Sequence, residues 1–188
     1  MKRCGWVNMN NPEYIHYHDT SWWVVETDDQ KLFEFLILEW AQAGLSWETV
    51  LKKRSGYKKA FWDFKVDEII TKLDDEKVEE LMQFDGIIKN KLKIKSVKKN
   101  AIAFIEIQKE YGSFYDYLYS FMPDNKPIKN ALKTLADAPA QTDISEAISK
   151  DLKKRGMSFV WPTIIYAFMQ AVWMVNDHTT DCFRYNEV

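Results

Sequence analysis

In FLILEWAQAGLSW, residues 35–47, one carboxyl group interrupts an otherwise apolar run: Glu39 is the only ionisable side chain between Glu34 and Glu48. An uncompensated carboxylate in such surroundings costs several kcal/mol or takes up a proton. It persists when local donors satisfy it or when a ligand needs it. Tyr14, Tyr17, Trp6, Trp22 and Trp47 are close in sequence. Core packing is the ordinary role of such rings, and a buried acid among them tilts the balance toward a binding site.

Two further constellations carry chemistry. Cys4 and His18 stand near one end of the chain, His178 and Cys182 near the other. Composition alone favours two free thiols. Yet His178 and Cys182 are four apart, so one helical turn or a tight loop points both at one ion, and two thiolates with two imidazoles suit tetrahedral zinc. His16 competes with His18 for the fourth position. The stretch GIIKNKLKIKSVKKNAIAFI, residues 86–105, holds Lys89, Lys91, Lys93, Lys95, Lys98 and Lys99 and no acid. A solvated helix face is the usual meaning of such a run. Here it follows a helix and a tight turn at Gly86, which presents backbone N–H groups and lysines to a phosphate. Lys52-Lys53-Arg54 and Lys153-Lys154-Arg155 add basic clusters to a chain whose net charge is only −2.

The elements that position these groups read as helical. No long segment alternates with period two. The spacing predicts helices over about 27–42 (buried all round), 47–61, 66–73, 92–111, 113–121, 144–155 and 159–175, and another capped by Asp74 and Asp75, with Val78, Leu81 and Met82 on one face, before the turn at Asp85-Gly86. Residues 122–142 hold three of the five prolines and read as loop, and 176–188 as irregular. The class is all-α. With 188 residues, 46% hydrophobic and 29% charged, one domain over 1–188 is expected. No apolar h-region follows MKRCGW and no apolar run spans a bilayer, so a cytoplasmic protein without a membrane partner is expected.

These residues together resemble the DNA-3-methyladenine glycosylase I family. The matching stretches are RCGW (3–6), EYIHYHD (13–19), KLFEFLILE (31–39), QAGLSW (42–47), LKKR (51–54), GIIKNKLKI (86–94), SKDLKKRG (149–156), YAFMQA (166–171) and VNDH…C (175–182), in family order. The resemblance implies a helix-hairpin-helix glycosylase fold, the hairpin near 78–99, with one structural zinc held by Cys4, His18, His178 and Cys182 and joining the two chain ends. It implies Glu39 as the catalytic carboxyl, with Tyr14, Tyr17, Trp47, Trp6 and Trp22 as base-binding residues. Gly86, Lys89, Lys91 and Lys93 become DNA-binding. The implied activity is excision of 3-methyladenine from alkylated double-stranded DNA by a monofunctional, monomeric bacterial enzyme associated with the nucleoid, free 3-methyladenine being the product. Two competing expectations remain: a non-catalytic damage-binding protein whose pocket Trp40 fills, and a zinc-stapled helical interaction module.

The chain departs from the family pattern in two ways. GIIKNKLKI lacks the second glycine of the common hairpin. Trp23, Trp40, Trp161 and Trp173 stand where the pattern leads one to expect glycine, in a chain with 8 Trp and only 6 Gly. Overpacking of this kind costs about 1–3 kcal/mol per site. One cause would cover all four: some bacterial lineages read the codon UGA as glycine, and such a gene translated with UGA as tryptophan shows this pattern.

Overall fold

The structure, a computed structural model, describes residues 1–42 and 44–187. Helices dominate them, in agreement with the all-α expectation: α1 Pro12–Thr20, α2 Asp29–Gln42, α3 Trp47–Ala60, α4 Val66–Lys72, α5 Asp75–Gln83, α6 Lys91–Tyr111, α7 Phe114–Tyr119, α8 Asp143–Lys154 and α9 Pro162–Ala171. Two-residue strands β1 (Ile128–Lys129) and β2 (Val175–Asn176) pair in parallel, Ile128 opposite Val175.

α2 is the axis of the molecule. Every residue from Leu32 to Ala41 is buried, as a helix that is apolar all round demands. α3, α6, α7 and α9 pack around it. Its start is fixed by two acids. Asp28 Oδ1 accepts from Lys31 N at 3.0 Å, an N-cap. Asp29 accepts from Gln108 Nε2 at 2.7 Å and from Phe114 N at 2.9 Å, tying α2 to α6 and α7. Ser46, Asp74 and Ser113 cap α3, α5 and α7, each accepting from a backbone N–H.

Three features differ from the sequence expectation. α1 escaped the periodicity because it buries only Tyr17 and His18; its signals were local, Asn11 accepting from Glu13 N at 3.0 Å and Pro12 opening the first turn. α9 is shorter than 159–175 because Pro162 sets its start, while Phe159 and Trp173 outside it have φ of 61° and 76°. The strand pair, β1 inside the stretch read as loop and β2 where the last expected helix gives way to the tail, is held by Ile128 N donating to Met174 O at 2.9 Å and Asn130 N to Asn176 O at 3.1 Å.

The turn between α5 and α6 lies against α3 through two glycines. A Cβ on Gly56 would sit 2.0 Å from the Gly86 carbonyl oxygen, so the backbones meet where no side chain fits.

Trp23 (φ 57°) and Trp173 (φ 76°) occupy left-handed backbone, which costs a bulky L-residue about 1–2 kcal/mol. Their rings lie 6.0 Å apart. The indole N–H groups of Trp23 and Trp40 are buried with no hydrogen-bond partner.

Candidate active site

Glu39 lies in the last turn of α2, 5% exposed, and faces a cavity of about 200 Å³. All six residues read as pocket residues from the sequence line it. Tyr14 and Tyr17 come from α1, Trp47 from the first turn of α3, and Trp6 and Trp22 from the segments flanking α1. Their rings pack against one another: Trp6 lies edge to face with Trp22 at 4.9 Å and tilted to Tyr14 at 5.3 Å, and Tyr17 lies tilted to Trp47 at 5.3 Å.

Among the described residues, the Glu39 carboxyl has no hydrogen-bond or ion-pair partner. Burial pushes its pKa up to about 8. Burial also raises the Tyr17 hydroxyl, and Glu39 adds to that effect. The Trp47 indole N–H is buried without an acceptor. Such a pocket holds a neutral carboxyl when empty at pH 7 and favours an incoming flat cation twice, through ring faces and through an acid that can ionise against it.

Sequence reasoning passed over Gln42, Gln170 and Asp177, which line the same cavity. The signal for Gln42 was present: it follows Glu39 by three residues and so shares its helix face. Gln170 and Asp177 stood inside matched stretches but on a different wall, from α9 and the end of β2.

Trp40 does not fill the pocket. Its side chain is absent from the lining and packs 5.9 Å from Phe159, because consecutive residues of a helix point about 100° apart. The expectation of a Trp40-blocked cavity is therefore corrected.

Behind the aromatic wall, Cys4, His18, His178 and Cys182 converge, all buried, their ligand atoms within 4.8 Å of one another. The Cys4 and Cys182 sulfurs lie 3.3 and 3.5 Å from His178 Nδ1, and Cys182 Sγ lies 3.5 Å from His18 Nε2. Tetrahedral zinc–ligand bonds imply ligand edges of about 3.5 Å, so the donor set fits one four-coordinate ion. His18 Nδ1 donates to Asp19 Oδ1 at 2.8 Å, which leaves Nε2 free to coordinate. Arg3 in turn grips Asp19 through Nε at 2.8 Å and Nη2 at 2.6 Å. Burial pushes the Cys4 thiol up to about 12 and His178 down to about 3, so without an ion these two side chains hold their neutral forms. His16, the competitor, is exposed on α1 and touches Thr20 instead.

The basic run meets acids that its own sequence does not show. α5 and the turn after it supply Asp75 to Lys95 and Asp85 to Lys89, each at 2.6 Å, and Glu79 to Lys91. These pairs are solvent-exposed and readily exchanged for another anion. Lys93 is placed differently: its Nζ donates to the Trp40 carbonyl at 2.8 Å, at the carbonyl end of α2, and it is half-buried. The three basic clusters adjoin. Lys53 Nζ donates to Asp85 O at 2.7 Å, and Lys95, Lys99 and Lys153 border one surface groove of about 550 Å³ beside the start of α6. No helix among the described residues is long and apolar enough to cross a membrane.

The chain matches the methyladenine glycosylase family model over residues 6–185. It is 45% identical to DNA-3-methyladenine glycosylase 1 of Escherichia coli (strain K12) across 185 residues, 98% of this chain and 97% of that protein. It superposes on a crystal structure of 3-methyladenine DNA glycosylase I with a TM-score of 0.91 at 46% identity, covering 97% of this chain and 98% of that one. A tyrosine-to-phenylalanine variant of such an enzyme in complex with 3-methyladenine also gives a TM-score of 0.91, at 31% identity over 97% of each chain. The chain belongs to the methyladenine glycosylase family.

Proposed function

We propose that the protein is a monofunctional DNA-3-methyladenine glycosylase of base-excision repair. It hydrolyses the N-glycosidic bond of 3-methyladenine in alkylated duplex DNA and leaves an abasic site. The observation that carries this reading is Glu39: a buried carboxyl without a partner among the described residues, opening on an aromatic cavity the size of one purine.

Methylation at N3 gives adenine a positive charge and weakens its glycosidic bond, so the leaving group is already activated. The damaged nucleotide leaves the stack to reach the pocket. There Trp6, Tyr14, Tyr17, Trp22 and Trp47 supply ring faces and edges, about 1–2 kcal/mol for each ring well placed over a cation. Glu39 ionises against that cation. Because its carboxyl is protonated below about 8 in the empty pocket, binding of the cation displaces a proton and tightens as pH rises toward 8. Undamaged adenine brings no charge and gains none of this.

Cys4, His18, His178 and Cys182 would hold one zinc ion, whose chemistry here is structural, since four protein ligands leave no open position. Tethering the two chain ends, these residues hold Trp6 and Trp22 in the pocket wall: the Trp22 ring lies edge-on to His178 at 4.5 Å. The turn at Gly86, Lys89 and Lys91 and the adjoining lysine groove meet the phosphates without reading sequence.

The test is release of free 3-methyladenine from methylated duplex DNA. The wild-type protein is expected to release it, and Glu39→Gln to slow release about 10²-fold, the loss of one electrostatic group in a dry site. No release by the wild type ends the functional proposal; an unimpaired Glu39→Gln ends the role of Glu39 alone.

A further inference from the structure

Charge tells a methylated purine from an undamaged one but does not tell adenine from guanine, since methylation at N3 makes both cationic. A directional polar group must do that, and the second wall of the cavity holds one. Asp177, only 4% exposed, accepts from Tyr166 Oη at 2.7 Å, from Asn130 Nδ2 at 2.7 Å and from Gln170 Nε2 at 2.6 Å. A carboxylate gripping Tyr166 and Asn130 in this way is an acceptor, so the end of the Gln170 amide turned toward it is the NH2. The carbonyl oxygen of Gln170 therefore points the other way, and among the described residues nothing donates to it. Gln170 and Asp177 line the same cavity as Glu39. Gln42, the other amide there, has no anchoring side-chain partner among the described residues and can turn either end to a ligand.

We propose that Gln170, oriented by Asp177, is a specificity-determining residue that makes the pocket select 3-methylpurines with an amino group at C6 over those with a carbonyl there. The inference rests on the glycosylase reading. The fixed Gln170 oxygen accepts a hydrogen bond from the C6 amine of 3-methyladenine. Against 3-methylguanine it meets the C6 carbonyl, two acceptors face each other, and both are left unpaired in a dry site. Asp177 acts through Gln170 and is a positioning residue: without its charge the amide can turn over and offer an NH2 to a C6 carbonyl.

The experiment measures, by chromatography, the rates at which 3-methyladenine and 3-methylguanine leave the same methylated duplex. Wild type, Gln170→Met and Asp177→Asn are compared, with bound metal per chain counted because Asp177 precedes His178. The wild type is expected to favour 3-methyladenine. Gln170→Met is expected to narrow that preference about tenfold or more, through slower 3-methyladenine release. Asp177→Asn is expected to narrow it through faster 3-methylguanine release. A preference unchanged in Gln170→Met, or a wild type that releases both bases equally, overturns the inference while leaving the glycosylase reading intact. A wild type that releases neither overturns that reading instead. Should Asp177→Asn lose its metal or fold, Gln170→Met decides alone.

Discussion

Trp6, Trp22 and Trp47 surround one cavity on backbone of negative φ, whereas Trp23 and Trp173, a layer behind, sit at φ of 57° and 76°. The first group spends its rings on a ligand-sized space. The second spends them on each other and on His178, which lies 6.2 Å from the Trp23 ring. The Trp47 N–H lacks an acceptor at a cavity wall where a ligand can supply one; the Trp23 N–H lacks one in solid core. Residue type alone would file all five as aromatic core. Backbone geometry separates side chains the fold was built to present from side chains it has to accommodate. Trp62 also has positive φ, but within a left-handed turn shared with Asp63 and Phe64, whereas Trp23 has no such neighbour.

The largest effect expected concerns what holds the pocket wall. If the Cys–His cluster positions Trp6 and Trp22, stripping the ion with a strong chelator, or Cys182→Ala, removes binding energy of order 10 kcal/mol from the folded state. Expected are a fall in melting temperature by tens of degrees and a red shift of tryptophan emission, read without any activity assay. Because thiols must lose protons to coordinate, chelation succeeds more readily as pH falls. A melting curve indifferent to chelator would mean that packing by Trp23 and Trp173 holds the wall instead.

Next in size is the pH dependence of Glu39. Its folded pKa of about 8 exceeds its ordinary value of 4.5. Its stabilising proton is therefore fully present below 4.5 and lost as pH rises through 8, so stability declines across that window, by at most ~5 kcal/mol before relaxation and water penetration reduce it. Glu39→Gln is expected to flatten that slope and to be the more stable protein at pH 8. Denaturant unfolding of both proteins at pH 5 and 8 checks it; parallel slopes would place Glu39 in contact with water.

Smaller, and opposite in sign to ordinary core truncation, is the effect of Trp23→Gly with Trp173→Gly. A core built around these indoles would lose about 3–5 kcal/mol for each one deleted. A core built around glycine would instead shed left-handed strain of about 1–2 kcal/mol per site and the cost of an orphaned N–H. The double variant is expected to melt higher, and the gene to carry UGA at codons 23, 40, 161 and 173. A lower melting point, or UGG at 23 and 173, restores these residues to the native core.

How much of this was legible in the sequence follows from where the signals reside. The burial of α2, its capping and the placement of Glu39 are local consequences of residue spacing, so they could be read directly. α1 could not, because its helix signal sits in Asn11 and Pro12 rather than in an apolar stripe. The convergence of Cys4 and His18 with His178 and Cys182 joins segments more than 150 residues apart; residue types and the His178–Cys182 spacing suggested it, and the resemblance turned that suggestion into an expectation. Gln170 and Asp177 were missed because their place in the pocket comes from the way α9 packs against α2 and β2 against α9. Lys93 was expected among the DNA-binding lysines; its bond to the Trp40 carbonyl is a tertiary contact that no charge pattern announces.

Trp161 supplies the smallest expected effect and the sharpest control. Unlike Trp23 and Trp173 it has an ordinary φ of −68° and is 58% exposed, with Lys153 Nζ 3.9 Å over its ring. Nothing in its backbone or packing asks for glycine. Trp161→Gly is therefore expected to change stability by less than about 1 kcal/mol, the scale of an exposed cation–π contact. Lys153, freed from the ring, borders the same groove as Lys95 and Lys99, so affinity for duplex DNA is expected to shift while the unfolding midpoint stays in place. The codon separates the causes: UGA at 161 means that one misreading produced strained and unstrained tryptophans alike, whereas UGG at 161 beside UGA at 23 and 173 would leave the misreading in the core and make Trp161 a genuine residue of the DNA-facing groove.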